Sequence, residues 1–162
     1  MLISERPQAD GYARSHPALT DSQTGLANRL HFDLVYDYLF EAGDRGLPFT
    51  VMLVSAGVEV GSGDTDVLRA LGTAIERTTR NSDLVSHVGA GRYAVLLLGT
   101  NLQGGRIACD RIEAALGDQA PGPICFGLAS YNERMKDPQE LLRAADTALL
   151  SAEAAQGGVE FG

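Results

Sequence analysis

The chain has 162 residues, of which 44% are hydrophobic and 21% charged, with a formal net charge of −8. That is enough apolar material for one domain with its own core, without disulfides or a structural metal, and it excludes the compositions of disordered and fibrous chains. The acidic balance argues against non-specific binding to nucleic acid or an anionic membrane surface, and no apolar run reaches the roughly 20 residues of a membrane span, so neither is an expected partner. An anionic ligand would have to be met by a local group of arginines. Cys109 and Cys125 lack C-x-x-C spacing and sit in apolar patterns, which predicts buried free thiols. The N-terminus lacks the basic-then-apolar order of a signal peptide, so a cytoplasmic location is expected.

In chain order, residues 1–20 carry Pro7, Gly11 and Pro17 among scattered charges and read as a tail or linker, leaving 21–162 as the folded domain. Asp21 to Arg29 is a turn into a helix with apolar positions Leu30, Phe32, Leu34, Val35, Leu39 and Phe40, stopped by Gly43. Phe49 to Val54 reads as a buried strand ending at Ser55. The glycine-containing loop from Ala56 to Asp66 leads to a helix capped by Asp64, Thr65 or Asp66, carrying Val67, Leu68, Leu71, Ala74 and Ile75 and ending near Arg80.

Val85 to Leu98 is the centre of the pattern: two apolar runs joined at Gly89-Ala90-Gly91-Arg92-Tyr93, where glycines permit φ > 0 and a β-hairpin can reverse. Beyond it, Gly104 and Gly105 break into a helix with Ile107, Ala108, Ile112, Ala115 and Leu116 on one face. Ile124 to Tyr131 is a strand in which Gly127 marks a bulge or a close backbone approach. Asp137-Pro138 starts a helix through Leu141, Leu142, Ala145, Leu149 and Ala152, and Gly157-Gly158 precede a last strand, Val159 to Phe161. The order α-β-α-β-β-α-β-α-β predicts an α+β domain, a two-layer α/β sandwich with a central mixed five-stranded sheet and flanking helices.

Four stretches in that order resemble the GGDEF domains, bacterial diguanylate cyclases that condense two GTP molecules into cyclic di-GMP. D-S-Q-T-G-L-A-N-R at 21–29 resembles the family's D-x-L-T-G-L-x-N-R, and R-N-S-D-L-V-S-H-V at 80–88 its R-x-x-D approach to the signature. I-C-F-G-L-A-S at 124–130 resembles V-S-x-G-x-A, and L-L-R-A-A-D-T-A-L at 141–149 the final-helix L-L-x-x-A-D-x-A-L. The resemblance implies the ferredoxin-like nucleotide-cyclase palm fold.

The signature itself departs from the family. Where G-G-[DE]-E-F is expected, the chain has Gly89, Ala90, Gly91, Arg92 and Tyr93. Phosphoryl transfer needs divalent metal held by carboxylates, and Gly91 offers none. Against the family pattern, Ser55 stands at the other metal aspartate, Gly57-Val58-Glu59-Val60 does not match the substrate loop, and Glu153 replaces a phosphate-binding lysine. These changes imply no diguanylate cyclase activity, no catalytic residue, no cofactor and no metal. Glu59, Asp64 and Asp66 could be imagined as a new metal site, though a solvated loop and helix cap explains them more simply. His87, alternating with apolar neighbours, reads as structural, Tyr93 as a packed aromatic, and Arg92 as a surface charge or the partner of an anion.

The R-x-x-D motif, Arg80 and Asp83, stands where the family's inhibitory site stands, and Arg111 where its secondary arginine falls. A guanidinium fork suits phosphate oxygens or the O6/N7 edge of guanine, and a carboxylate can accept from guanine N1 and N2 hydrogens. Plain readings stand beside these: Arg80 as a helix-end charge, Asp83 as a turn or cap residue, Arg111 as a solvated helix-face arginine. The resemblance implies a cyclic di-GMP receptor, with the ligand bridging a homodimer and an unknown downstream signalling protein as a further partner. The alternative is a ligand-free scaffold for dimerisation or protein interaction, and a third reading is a GTP-binding regulatory domain.

Overall fold

The computed structural model describes residues 16–58 and 64–162. Glu59 and Val60 of the imagined metal site and substrate loop, and Met1 to Ser15 of the tail, lie outside them. Nine helices and strands follow one another among the described residues: α1 (Arg29–Gly43), β1 (Phe49–Ser55), α2 (Thr65–Thr78), β2 (Leu84–His87), β3 (Arg92–Leu98), α3 (Leu102–Leu116), β4 (Cys125–Ser130), α4 (Pro138–Ala154) and β5 (Gly158–Phe161). The expected element order is the observed one. Each of the four helices opens on a side-chain cap, from Asn28, Asp64, Asn101 and Asp137 in turn. Such caps satisfy amide groups that have no carbonyl partner in the first turn. Gly104 and Gly105 therefore lie inside the first turn of α3, because Asn101 starts the helix before them.

The strands form one mixed sheet in the order β2-β3-β1-β4-β5. β1 runs antiparallel to both β3 and β4, and only β5 is parallel to its neighbour. Because side chains alternate across a strand, β1 divides its residues between two cores. Met52 and Val54 join Tyr93, Val95, Phe126 and Leu128 under α2 and α3, whereas Phe49 and Val51 join Leu96 and Ala129 under α1 and α4. The flanking of the sheet is thus two-sided, with helix layers on both faces rather than one. A near-continuous apolar strand such as β1 is what a doubly covered sheet requires.

Helix α1 meets its core with Phe32, Tyr36, Leu39 and Phe40, while Leu30 and Leu34 are at least half-exposed. Tyr36 lies on the buried stripe with Phe32 and Phe40, and its hydroxyl finds an acceptor there, the Pro138 carbonyl. In α3 the covered face is Gly105, Cys109, Ile112 and Leu116, and Ile107 points outward, contrary to expectation. Pro17–Thr20, placed with the tail by sequence, is tied to the fold: a 3-10 turn spans Pro17–Leu19, Thr20 bridges Ala27, and Asn28 donates to the carbonyls of Leu19 and Ala18. Both cysteines are free and buried, with burial pushing the Cys109 thiol up to about 12. Among the described residues, no helix is long and apolar enough to cross a membrane.

Candidate functional site

Two regions carry the residues singled out by sequence, one at the hairpin tip and one beside the start of β2. At the tip, Arg92 donates its amide to the Gly89 carbonyl, and Gly89, Ala90 and Gly91 all have positive φ, with Ala90 at 56°. Two-residue hairpin turns demand this hand, and an alanine there costs roughly 1 kcal/mol in backbone strain. Gly91 is held from outside as well: a Cβ built on it would lie 2.9 Å from the Val58 carbonyl oxygen, at a backbone φ of +69°. The third signature position therefore lacks a carboxylate and also lacks room for one.

Arg92 does not project into solvent. Its Nη2 lies 2.6 Å from Glu153 Oε1 and its Nη1 3.3 Å from Asp146 Oδ1, both on α4. Ser55, directly across the ladder from Arg92, donates to Glu153 Oε2 at 3.2 Å. Where the family resemblance places metal aspartate, signature glutamate and phosphate-binding lysine, the chain has a closed network of serine, arginine and glutamate. A divalent ion requires free carboxylate oxygens, yet both oxygens of Glu153 are occupied and a fixed guanidinium stands among them. Among the described residues, no group of three or more His, Cys, Asp or Glu side chains is placed to hold such an ion. Of the imagined acidic cluster, Asp64 is the cap of α2, accepting from the Val67 amide.

His87 and Tyr93 behave structurally. The His87 ring is buried, with Nδ1 3.1 Å from Asp21 Oδ2, and Asp21 in turn accepts from the amide and hydroxyl of Thr24. This pins the Asp21–Leu26 turn against β2, a partnership that nothing in the sequence spacing announced. Tyr93 is fully buried and donates to the Leu68 carbonyl.

The second region brings Arg80, Asp83 and Arg111 to one groove of about 360 Å3, between the end of α2 and the exposed side of α3. Asp83 shapes this groove from below. Its carboxylate is buried, with Oδ2 accepting from the Arg80 amide at 3.0 Å and Oδ1 from the Leu98 amide at 3.1 Å. The same Oδ2 is 3.8 Å from Arg80 Nε. The carboxylate thus closes the turn and ties it to β3, which is the turn-residue reading. The Arg80 side chain remains 66% exposed, and its Nη2 donates to Thr100 Oγ1 at 3.0 Å. Thr100 is itself buried and donates its hydroxyl to the Leu98 carbonyl. Arg80 is therefore preorganised on two sides with the rest of its fork open, and Arg111 stands exposed on the facing helix. Sequence reasoning missed Thr100 and Ile107 of the same groove: Thr100 carries no motif, and Ile107 was assigned to the covered face.

A sequence model of the family "Diguanylate cyclase, GGDEF domain" matches residues 18–158. The chain belongs to the GGDEF domain family. Among curated relatives, the probable diguanylate cyclase DgcC of Escherichia coli K12 is 26% identical over 153 residues, covering 83% of this chain and 40% of its own length. The diguanylate cyclase TpbB of Pseudomonas aeruginosa is 30% identical over 166 aligned residues, covering 91% of this chain and 38% of its own. The GGDEF chain thus spans about two fifths of the curated relatives it matches. Among solved structures, the coiled coil and GGDEF domain of Caulobacter crescentus DgcB in complex with c-di-GMP superposes with a TM-score of 0.79 at 18% identity, covering 90% of this chain and 86% of that one. The GGDEF domain of Pseudomonas aeruginosa FimX gives 0.79 at 19% identity, covering 89% and 99%. At these identities the likeness establishes the cyclase-type fold, with its mixed five-stranded sheet and flanking helices.

Proposed function

We propose that this GGDEF domain is catalytically inactive and serves as a cyclic di-GMP receptor, through Arg80 and Arg111 as ligand contacts and Asp83 as the residue that orients Arg80. The observation that carries the reading is the convergence of the two arginines, one from the turn that follows α2 and one from α3, on one groove in a chain of net charge −8. Two open guanidinium forks concentrate positive potential where a diphosphate ligand can reach both. The solved complex of the related DgcB domain with c-di-GMP lends support at the level of the fold. Curated relatives named as cyclases weigh the other way for the enzymatic question, and the inactive reading draws instead on the residues at the tip. Gly91, crowded by Val58, and Arg92, paired with Glu153, support the inactive reading: among the described residues of the tip, neither position offers a carboxylate to a metal-bound triphosphate.

A second reading, a ligand-free scaffold, draws on the α1 surface, where Leu30, Leu34 and Tyr38 recur at four-residue spacing and all lie at least half-exposed. One experiment separates these. The purified chain incubated with GTP and magnesium or manganese is expected to form no cyclic di-GMP, and its unfolding temperature is expected to rise by several degrees when cyclic di-GMP is added well above its Kd. Product formation refutes the inactive reading. An unchanged unfolding temperature at high ligand refutes the receptor and leaves the scaffold.

A further inference from the structure

The groove contains one side chain that phosphate recognition does not explain. Ile107 lies one turn before Arg111 on the stripe of α3 that also carries Gly104 and Ala108, and it is 51% exposed although the other large apolar residues of its helix are covered. With Ala108 beside it and the buried Leu97 behind, it gives an apolar side to the same groove as Arg80 and Arg111. Such a side offers nothing to a bare oxyanion, which loses water against it without gaining a hydrogen bond. It favours a ligand with a flat, weakly hydrated face attached to its anionic groups.

Resting on the receptor reading above, we propose that Ile107 is the platform on which a guanine base of the ligand lies, so that the groove selects nucleotide phosphates over inorganic ones. The guanidiniums of Arg80 and Arg111 meet phosphate oxygens or base edges, and the aliphatic ledge covers one face of the ring. Ile107 is then a specificity-determining residue. Its exposure in the ligand-free chain is the surface that binding removes from water.

The test is a calorimetric titration of the full chain with cyclic di-GMP and, separately, with inorganic pyrophosphate, for the parent, Ile107→Ser, Ile107→Phe and Arg80→Ala. Because Ile107 is exposed, its replacement removes no core packing, and equal unfolding midpoints for parent and variants verify this. Ile107→Ser is expected to weaken cyclic di-GMP about tenfold, the scale of losing one apolar contact face, and to leave pyrophosphate binding, however weak, as in the parent. Ile107→Phe, which offers a broader platform, is expected to bind at least as tightly as the parent. If Ile107→Ser stays within twofold of the parent while Arg80→Ala abolishes binding, the platform is overturned and the receptor stands. Equal loss for both probes in Ile107→Ser also overturns the platform. No saturable binding of cyclic di-GMP by the parent overturns the platform and the receptor together.

Discussion

Arg92 and Glu153 show at residue scale how two charged side chains at the hairpin tip satisfy one another. The resemblance would place an acid at Arg92 and a lysine at Glu153, and in this chain the two oppositely charged side chains meet at 2.6 Å. Each side chain is about one third exposed, so solvent screening limits the pair to on the order of 1 kcal/mol. Glu153→Lys places a like charge beside Arg92 and is expected to lower stability by about 1–2 kcal/mol. Adding Arg92→Glu to that variant should restore part of the loss, and a double-mutant cycle from urea midpoints reads the coupling. His31 supplies a second test. Burial holds its pKa below the ordinary 6.5, against an opposing hydrogen bond to Leu19. Nδ1 is buried and unpartnered. The unfolded chain therefore takes up the proton first, so this residue lowers stability as pH falls through about 6.5 and contributes no slope well above it. Urea midpoints measured between about pH 5 and 7.5 should rise with pH more steeply for the parent than for His31→Gln. Equal slopes would assign the pH dependence elsewhere.

At the scale of elements, the contact of α4 with β4 sets the position of everything at the tip. A Cβ on Gly127 would lie 2.3 Å from the Leu149 amide nitrogen and 2.4 Å from the Ala145 carbonyl oxygen, both helix backbone. The sequence anticipated a bulge or close approach there, and the regular ladder with β1 makes it a close approach. Backbone cannot step aside as a rotamer can, so Gly127→Ala is expected to cost about 3 kcal/mol or more, or to prevent folding, as read by denaturant unfolding. A loss below about 1 kcal/mol would show that α4 can lift off the sheet. Period and punctuation made the elements legible: apolar spacing, capping Asp and Asn residues, and paired glycines act within a few residues of one another. The outward rotation of Ile107, Leu30 and Leu34 was not legible. Local spacing cannot say which part of an apolar stripe the rest of the fold will cover, and the Tyr36 hydroxyl is buried against a carbonyl at the start of α4 that spacing within α1 does not reveal.

Over the whole molecule, a sheet buried on both faces fixes two regions of different fate. One is the closed polar network at the tip, and the other is the open groove at the start of β2. Arg80, Asp83 and Arg111 could be named from the chain because a family motif carries them, whereas the distant partners of Asp83, Arg80 and the tip arginine could not. Asp83 answers to the Leu98 amide, Arg80 to Thr100 and Arg92 to α4, all contacts that exist only after distant segments are brought together. That division decides which charges face solvent: the tip arginine is neutralised by carboxylates, while the groove arginines keep most of their donors. Titration of the full chain with cyclic di-GMP by isothermal calorimetry, beside Arg80→Ala and a GTP control, tests the central claim most directly. Saturable binding of cyclic di-GMP that is lost in Arg80→Ala, with no comparable heat from GTP, is the predicted result. Absence of cyclic di-GMP binding, or binding that survives Arg80→Ala, would contradict it.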